Sequence, residues 1–203
     1  MSTSSNLRRS DTHKVSLRHL ILTGMLLAVL IAQEQLLIFL PNIQLTVVLI
    51  MVYAAILPGY LLVFLVLGYV LLDNLIMGSF SLIYTPPMLL AWLMLALIGR
   101  LVRDRSMIVI LLAALLFGFL YGWVFIPFNM IVYGLNVFWP YLASDLPFEI
   151  VMAVNNYFTV LLLYRPLTAL LRPFATSQPT LLDSTEIVDT PRNARAESLE
   201  EHD

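Results

Sequence analysis

Six long apolar stretches, separated by short polar or turn-forming segments, constrain this chain of 203 residues more than any other feature. They run over 17–39, 43–57, 60–77, 84–99, 107–126 and 146–164. A helix needs about 20 apolar residues to cross a bilayer, and about 17 at the short end. The chain is 60% hydrophobic and 12% charged, which is more apolar surface than a soluble core would bury. The pattern predicts an all-α integral membrane protein with six transmembrane helices.

The apolar run from 43 to 77 is interrupted only by Pro58-Gly59. As one helix it would be about 50 Å long, whereas the hydrocarbon core of a bilayer is about 30 Å thick. Pro-Gly is a turn signal, and proline has no backbone N–H to donate. We therefore divide the run into the second and third spans. Because the second and fourth stretches are short, we expect them to use flanking residues or to lie partly inside the bundle.

The basic residues predict the orientation, because cytoplasmic segments collect Lys and Arg. All eleven fall before the first span, between the fourth and fifth, or after the sixth. They are Arg8, Arg9, Lys14, Arg18, Arg100, Arg103, Arg105, Arg165, Arg172, Arg192 and Arg195. This places both termini in the cytoplasm. The predicted organisation is a polar tail (1–16), a six-helix membrane domain (17–173) and an acidic, disordered tail (174–203).

Signatures of catalysis and of metal binding are missing from the sequence. There are no cysteines and three histidines, which excludes disulfides, thiol catalysis and thiolate metal sites. The sequence contains no phosphate-binding G-x-x-x-x-G-K-[ST] loop, no H-E-x-x-H and no G-x-S-x-G. We predict neither an enzyme nor a resident cofactor or metal, and no nucleic-acid partner.

Polar side chains gather at the predicted outer ends of the spans. They are Gln33, Glu34, Gln35, Asp73, Asn74, Asp145, Glu149, Asn155 and Asn156. Ionisable groups cost about 2.5–3.5 kcal/mol at mid-bilayer, so they usually face a cavity or a partner. For Asp73 and Asp145 we favour contact with interfacial water. For Glu34, Glu149 and the asparagine pair we favour a cavity. The outer half has no Lys or Arg, which favours a neutral or cationic ligand over an anion.

The longest predicted outer loop, 127–144, is rich in aromatic side chains. Trp123 and Phe125 precede it, and Phe128, Tyr133, Phe138, Trp139 and Tyr141 lie within it. Each one alone is best explained as an anchor at the membrane interface. As a group beside acidic residues, they predict a lid over a ligand pocket.

Small residues recur every fourth position in the first span, at Gly24, Ala28 and Ala32. They share one helix face and would let another helix approach closely, so we predict that this face docks on a partner. For the similar pair Gly118 and Gly122 we predict internal packing.

With these features the chain resembles the substrate-binding S components of energy-coupling factor (ECF) vitamin transporters. The resemblance covers about 17–170 and rests on size, on six spans with both ends inside, and on Ala28-Val-Leu-Ile-Ala32. That segment matches the A-x-x-x-A motif of the family's first helix. The stretches at 40–45 and 145–149, followed by Asn155-Asn156, are similar to the subgroup that includes cobalamin-specific S components.

The resemblance implies a vitamin-capturing subunit in a bacterial plasma membrane, with a transmembrane T component and two ATPase subunits as partners. Cobalamin is the first choice of ligand, and thiamine or its precursors fit nearly as well. The T component would dock on Gly24, Ala28 and Ala32. By region, the resemblance implies a binding site formed by Asn42, Tyr84, Trp123, Asn129, Tyr133, Trp139, Glu149, Asn155 and Asn156.

A structural membrane protein of the MreD cell-shape type is the alternative. Such proteins are also small and multi-span and lack catalytic residues, and their partners belong to the cell-wall machinery. The aromatic outer loop and the amides of the sixth span favour the S component.

Overall fold

A computed structural model describes residues 17–40, 43–78, 80–81 and 83–176. The predicted tails lie outside these ranges, except for 174–176, which end the last helix. The described part is helical and contains no strand. Its elements are α1 (Leu17–Leu37), α2 (Thr46–Ile56), α3 (Gly59–Ile76), α4 (Thr85–Val102), α5 (Met107–Tyr133), a 3-10 turn (Leu135–Val137) and α6 (Phe138–Thr176). The prediction of an all-α protein is confirmed.

Five of these helices, α1 and α3 to α6, are long and apolar enough to cross a membrane. The exception, α2, has 11 residues and is therefore about 16 Å long. Its residues from Thr46 to Ala54 are all buried, with α4 and α6 packed along it. The second apolar stretch thus lies inside the bundle, as expected from its length. The long apolar helices are consistent with a membrane location.

The division of the apolar run from 43 to 77 at Pro58-Gly59 is confirmed. Helix α2 ends at Ile56 and α3 begins at Gly59. The Arg100 side chain of α4 donates a hydrogen bond from Nη1 to the Leu57 carbonyl oxygen at 3.0 Å. The guanidinium thereby satisfies a carbonyl at the end of α2 that has no partner within the helix.

An aromatic cluster packs the core where α3, α4 and α5 meet. The ring of Trp92, which is 1% exposed, lies 5.9 Å from Tyr69 and 5.1 Å from Tyr121 between centroids. Phe117 completes the cluster at 5.8 Å from Trp92. Such offset and edge contacts stabilise aromatic pairs beyond their burial. The cluster fixes the position of Tyr121, which borders the cavities described below.

The prediction of a long loop at 127–144 is wrong. Helix α5 continues to Tyr133 and α6 starts at Phe138, so the real break is Gly134 and one 3-10 turn. Gly134 has φ +88°, a conformation that favours glycine. Pro127 lies within α5, which membrane helices tolerate. Pro140 falls in the first turn of α6, where a backbone N–H would have no helical partner.

Charge divides the two ends of the bundle. We call the end that carries Glu34, Asp73, Asp145 and Glu149 the acidic end. The opposite end, with Arg100, Arg103, Arg105, Arg165 and Arg172, is called the basic end. Because α2 is short, its first turn lies near a cavity at the acidic end and its last turn near a cavity at the basic end.

Candidate ligand-binding cavity at the acidic end

A cavity of about 270 Å³ opens between the start of α4, the middle of α5 and the first turns of α6. The side chains that give it its chemistry are Tyr84, Tyr121, Tyr141, Asp145, Phe148 and Glu149. Asp145 and Glu149 are four residues apart, so one face of α6 presents both carboxylates. The cavity therefore combines two acids with aromatic walls.

Glu149 is the most unusual residue of this cavity. It is 3% exposed, and its carboxylate lies against Gly122, where a Cβ atom would collide with it. The indole of Trp123 interacts with this carboxylate, but neither Glu149 oxygen has a hydrogen-bond partner of normal geometry among the described residues. A buried carboxylate with so little hydrogen bonding is costly, so it marks a place where a ligand group would be stabilising.

A second cavity of about 220 Å³ adjoins the first, because Tyr121 lines both. Glu34, Gln44 and Met77 contribute to its wall. The wall is thus formed by the end of α1, the segment before α2 and the residue after α3. The two cavities together bring acids from α1 and α6 to either side of one tyrosine.

Glu34 differs from Glu149 in being held by hydrogen bonds. Its Oε2 accepts from the hydroxyl of Thr46 at 3.0 Å and from that of Tyr69 at 3.1 Å. Gln33 donates to Thr46 Oγ1 at 2.6 Å and accepts from the backbone N–H of Leu45 at 2.9 Å. The network ties α1, α2 and α3 together, so Glu34 both lines a cavity and joins three helices.

The interpretation of Asp73 as a residue in interfacial water is wrong for this structure. Asp73 is 7% exposed, and its Oδ1 has no hydrogen-bond partner in the described part of the chain. Its neighbour Asn74 bonds to the Val70 carbonyl at 2.7 Å and accepts from Thr85 at 3.0 Å. Asp145 is more accessible, at the wall of the first cavity.

The predicted asparagines bind backbone carbonyl groups. Asn155 donates to the Gln44 carbonyl at 2.7 Å, and Asn156 donates to the Ala114 carbonyl at 3.3 Å. Asn129 donates to Phe125 within its own helix at 3.0 Å. Asn155 thereby holds α6 to the segment that lines the second cavity, and Asn156 joins α6 to α5. None of the three lines either cavity.

The predicted aromatic residues are distributed more widely than expected. Tyr84 lines the first cavity. Trp123 borders a larger apolar groove of about 780 Å³ between α5 and α6. Tyr133 and Trp139 are 60% and 74% exposed and line neither acidic cavity. Asn42 lies outside the described residues.

Sequence reasoning missed the parts that Tyr121 and Gly122 play. Tyr121 carries no polar signal that distinguishes it from the other aromatic residues of the fifth span. Gly122 reads as one of two packing glycines, and that reading is incomplete, because it is the two carboxylates of α6 that pack against it.

The small residues of α1 are all exposed along one side. Nothing lies within 4 Å of a Cβ atom built at Gly24. This face is therefore open to another helix. No protein-family model, curated protein or solved structure matches the chain.

Proposed function

We propose that this chain is the substrate-capturing membrane subunit of an ECF-type importer. It binds a small nutrient at the acidic end and delivers it through a T component driven by two ATPase subunits. In this proposal the chain spans a bacterial plasma membrane six times, with both termini and the basic end in the cytoplasm. The observation that carries it is Glu149, which is buried beside a cavity with neither oxygen in a hydrogen bond of normal geometry among the described residues.

The chemistry of the two cavities favours a small cationic nutrient such as thiamine or one of its precursors. Carboxylates would pair with the positive charge, and Tyr121, Tyr141 and Phe148 offer ring faces to a flat cation. Cavities for drug-sized ligands measure about 300–1,000 Å³, and these two measure about 270 and 220 Å³. Cobalamin, the first choice from the resemblance, is a much larger molecule and would require the acidic end to open.

The exposed small-residue face of α1 supports the partner assignment. An S component must dock on a T component within the membrane, where close helix approach depends on small side chains. Gly24, Ala28 and Ala32 supply such a face, and no helix of this chain covers it in the described structure.

A structural protein of the MreD type is supported less well. A scaffold gains nothing from a buried carboxylate with so little hydrogen bonding, whereas a binding protein holds such a group ready for its ligand. The scaffold would also leave the cavities at the acidic end without a role.

A ligand screen on the purified chain tests the proposal. Unfolding is monitored thermally with thiamine, its pyrimidine precursor, cobalamin, biotin and pantothenate. A ligand at 100 times its Kd stabilises the fold by about 2.7 kcal/mol, so thiamine or its pyrimidine precursor should raise Tm clearly. Folded protein that responds to none of them would favour the scaffold and a search for protein partners.

A further inference from the structure

The basic end contains a cavity of its own, of about 310 Å³. Four arginines line it, Arg103, Arg105, Arg165 and Arg172, together with Tyr164 and Thr168. The one acid in the lining is Asp104, which is bonded to Arg103 at 3.1 Å and is 82% exposed. The lining therefore carries a net charge of +3.

Two elements bring these charges together. On α6, positions 165, 168, 169 and 172 repeat at helical spacing, so they share one face. The turn between α4 and α5 supplies Arg103 and Arg105 from the other side. Arg105 and Arg165 thus reach the cavity from two different elements. Like charges that share a small volume repel, so an anion between these two would stabilise the arrangement.

The remaining lining fits a phosphate ester better than a bare ion. The hydroxyl oxygen of Thr168 is buried and has no hydrogen-bond partner among the described residues. Ala55, Met107, Ile110 and Ala169 form an apolar side of the cavity. The planar guanidinium groups of arginine match the geometry of phosphate oxygens, and a hydroxyl adds a hydrogen-bond donor. The apolar side of the cavity would contact the carbon atoms of the ester.

We propose that this cavity binds the phosphate group of an anionic membrane lipid. Arg103 and Arg105 lie in the turn after α4, and Arg165 and Arg172 lie in the last turns of α6. Basic pockets between helices near the ends of membrane spans bind such headgroups. The short α2 contributes by ending at Ile56, which leaves the space that Ala55 borders. The proposal does not depend on the importer function.

Native mass spectrometry of the purified full chain provides the test, with phosphatidylglycerol, phosphatidylcholine or inorganic phosphate added. Phosphatidylglycerol should bind more tightly than phosphatidylcholine, whose choline the arginines repel. In R105Q/R165Q the preference should fall by about fivefold for each arginine removed. The control R192Q/R195Q removes the same charge from a part of the sequence that contributes no residue to the cavity lining and should keep the preference.

Each alternative result has a definite meaning once gel filtration shows folded protein. Equal binding of the two lipids by the wild type, or an undiminished preference in R105Q/R165Q, overturns the proposal. If inorganic phosphate competes with phosphatidylglycerol at similar concentration, the cavity is a site for soluble phosphate and the lipid assignment is overturned. A preference that is lost only in R105Q/R165Q supports the lipid site.

Discussion

Glu149 of α6 packs its carboxylate against the bare backbone of Gly122 on α5. A side chain at position 122 would occupy the space that the Glu149 and Asp145 oxygens now fill. The glycine thus lets two acids enter the α5–α6 interface beside the first cavity.

Replacement of Gly122 by Ala should weaken ligand binding more than it weakens the fold. The new methyl group displaces the ends of flexible acidic side chains, so the carboxylates move while the helices remain in place. We expect the affinity for the cationic ligand to fall, with a small change in Tm. Calorimetric titration together with thermal unfolding measures both.

Gly118 provides the matched comparison one turn earlier. A Cβ atom there would lie 2.5–2.7 Å from the backbone and Cβ of Ala153, which cannot move without separating α5 from α6. G118A should therefore lower stability by about 1–3 kcal/mol, as overpacking does. Equal loss of stability in G118A and G122A would contradict the role given to Gly122.

Neutralising Glu149 should separate binding from folding. E149Q keeps the shape but removes the charge, so affinity for a cationic nutrient should fall by about 10- to 100-fold, the usual range for a charge-assisted hydrogen bond. Without ligand, the Tm of E149Q should equal or exceed that of the wild type, because a buried charge without a hydrogen bond of normal geometry is removed. D145N, at a more accessible carboxylate, should lose less affinity. Unchanged affinity in both variants would exclude this carboxylate pair as the binding site.

Bulky side chains on the exposed face of α1 should block docking on the T component without affecting ligand binding. In A28L/A32L, close approach of a partner helix is prevented, so the T component should no longer co-purify while ligand binding stays normal. L97F adds bulk at an exposed position of α4 and serves as the control. Co-purification that survives in A28L/A32L would show that this face is not the docking surface.

The network around Thr46 should be important for stability. T46V keeps the shape of the side chain but removes its bonds to Gln33 and Glu34, leaving buried polar groups unsatisfied at a cost of about 1–3 kcal/mol. T159V loses bonds only to carbonyls of its own helix and should change Tm little. A T46V protein as stable as T159V would mean that the network contributes nothing net.

The helices could be predicted from length and turn chemistry, as the Pro58-Gly59 division shows. The segment at 127–144 could not, because Pro127, Gly134 and Pro140 all read as loop signals. In the structure, of these three residues only Gly134 lies between the helices, where it is followed by one 3-10 turn. The sequence does not distinguish a proline that lies within a helix, or in its first turn, from a proline that ends one.

The two cavities at the acidic end were predicted only in outline. The sequence shows that acids and amides gather at one end, but spans that are apolar all round do not reveal which faces meet. The contact of Gly122 with Glu149 joins two helices and depends on how each helix is rotated about its own axis, which the sequence does not show. The asparagines illustrate the same limit, since Asn155 and Asn156 are used to bind carbonyl groups of other segments.

The shortness of α2 has a consequence for biosynthesis. A helix of 11 residues is too short to remain across a bilayer alone, so in the proposed membrane protein α2 would enter the bilayer as a hairpin with α3. Its eventual neighbours α4 and α6 are translated later, whereas α1 is already present to pair with Thr46 through Gln33 and Glu34. The polar contacts between α1 and α2 would then hold the central helix in place until the rest of the bundle closes around it.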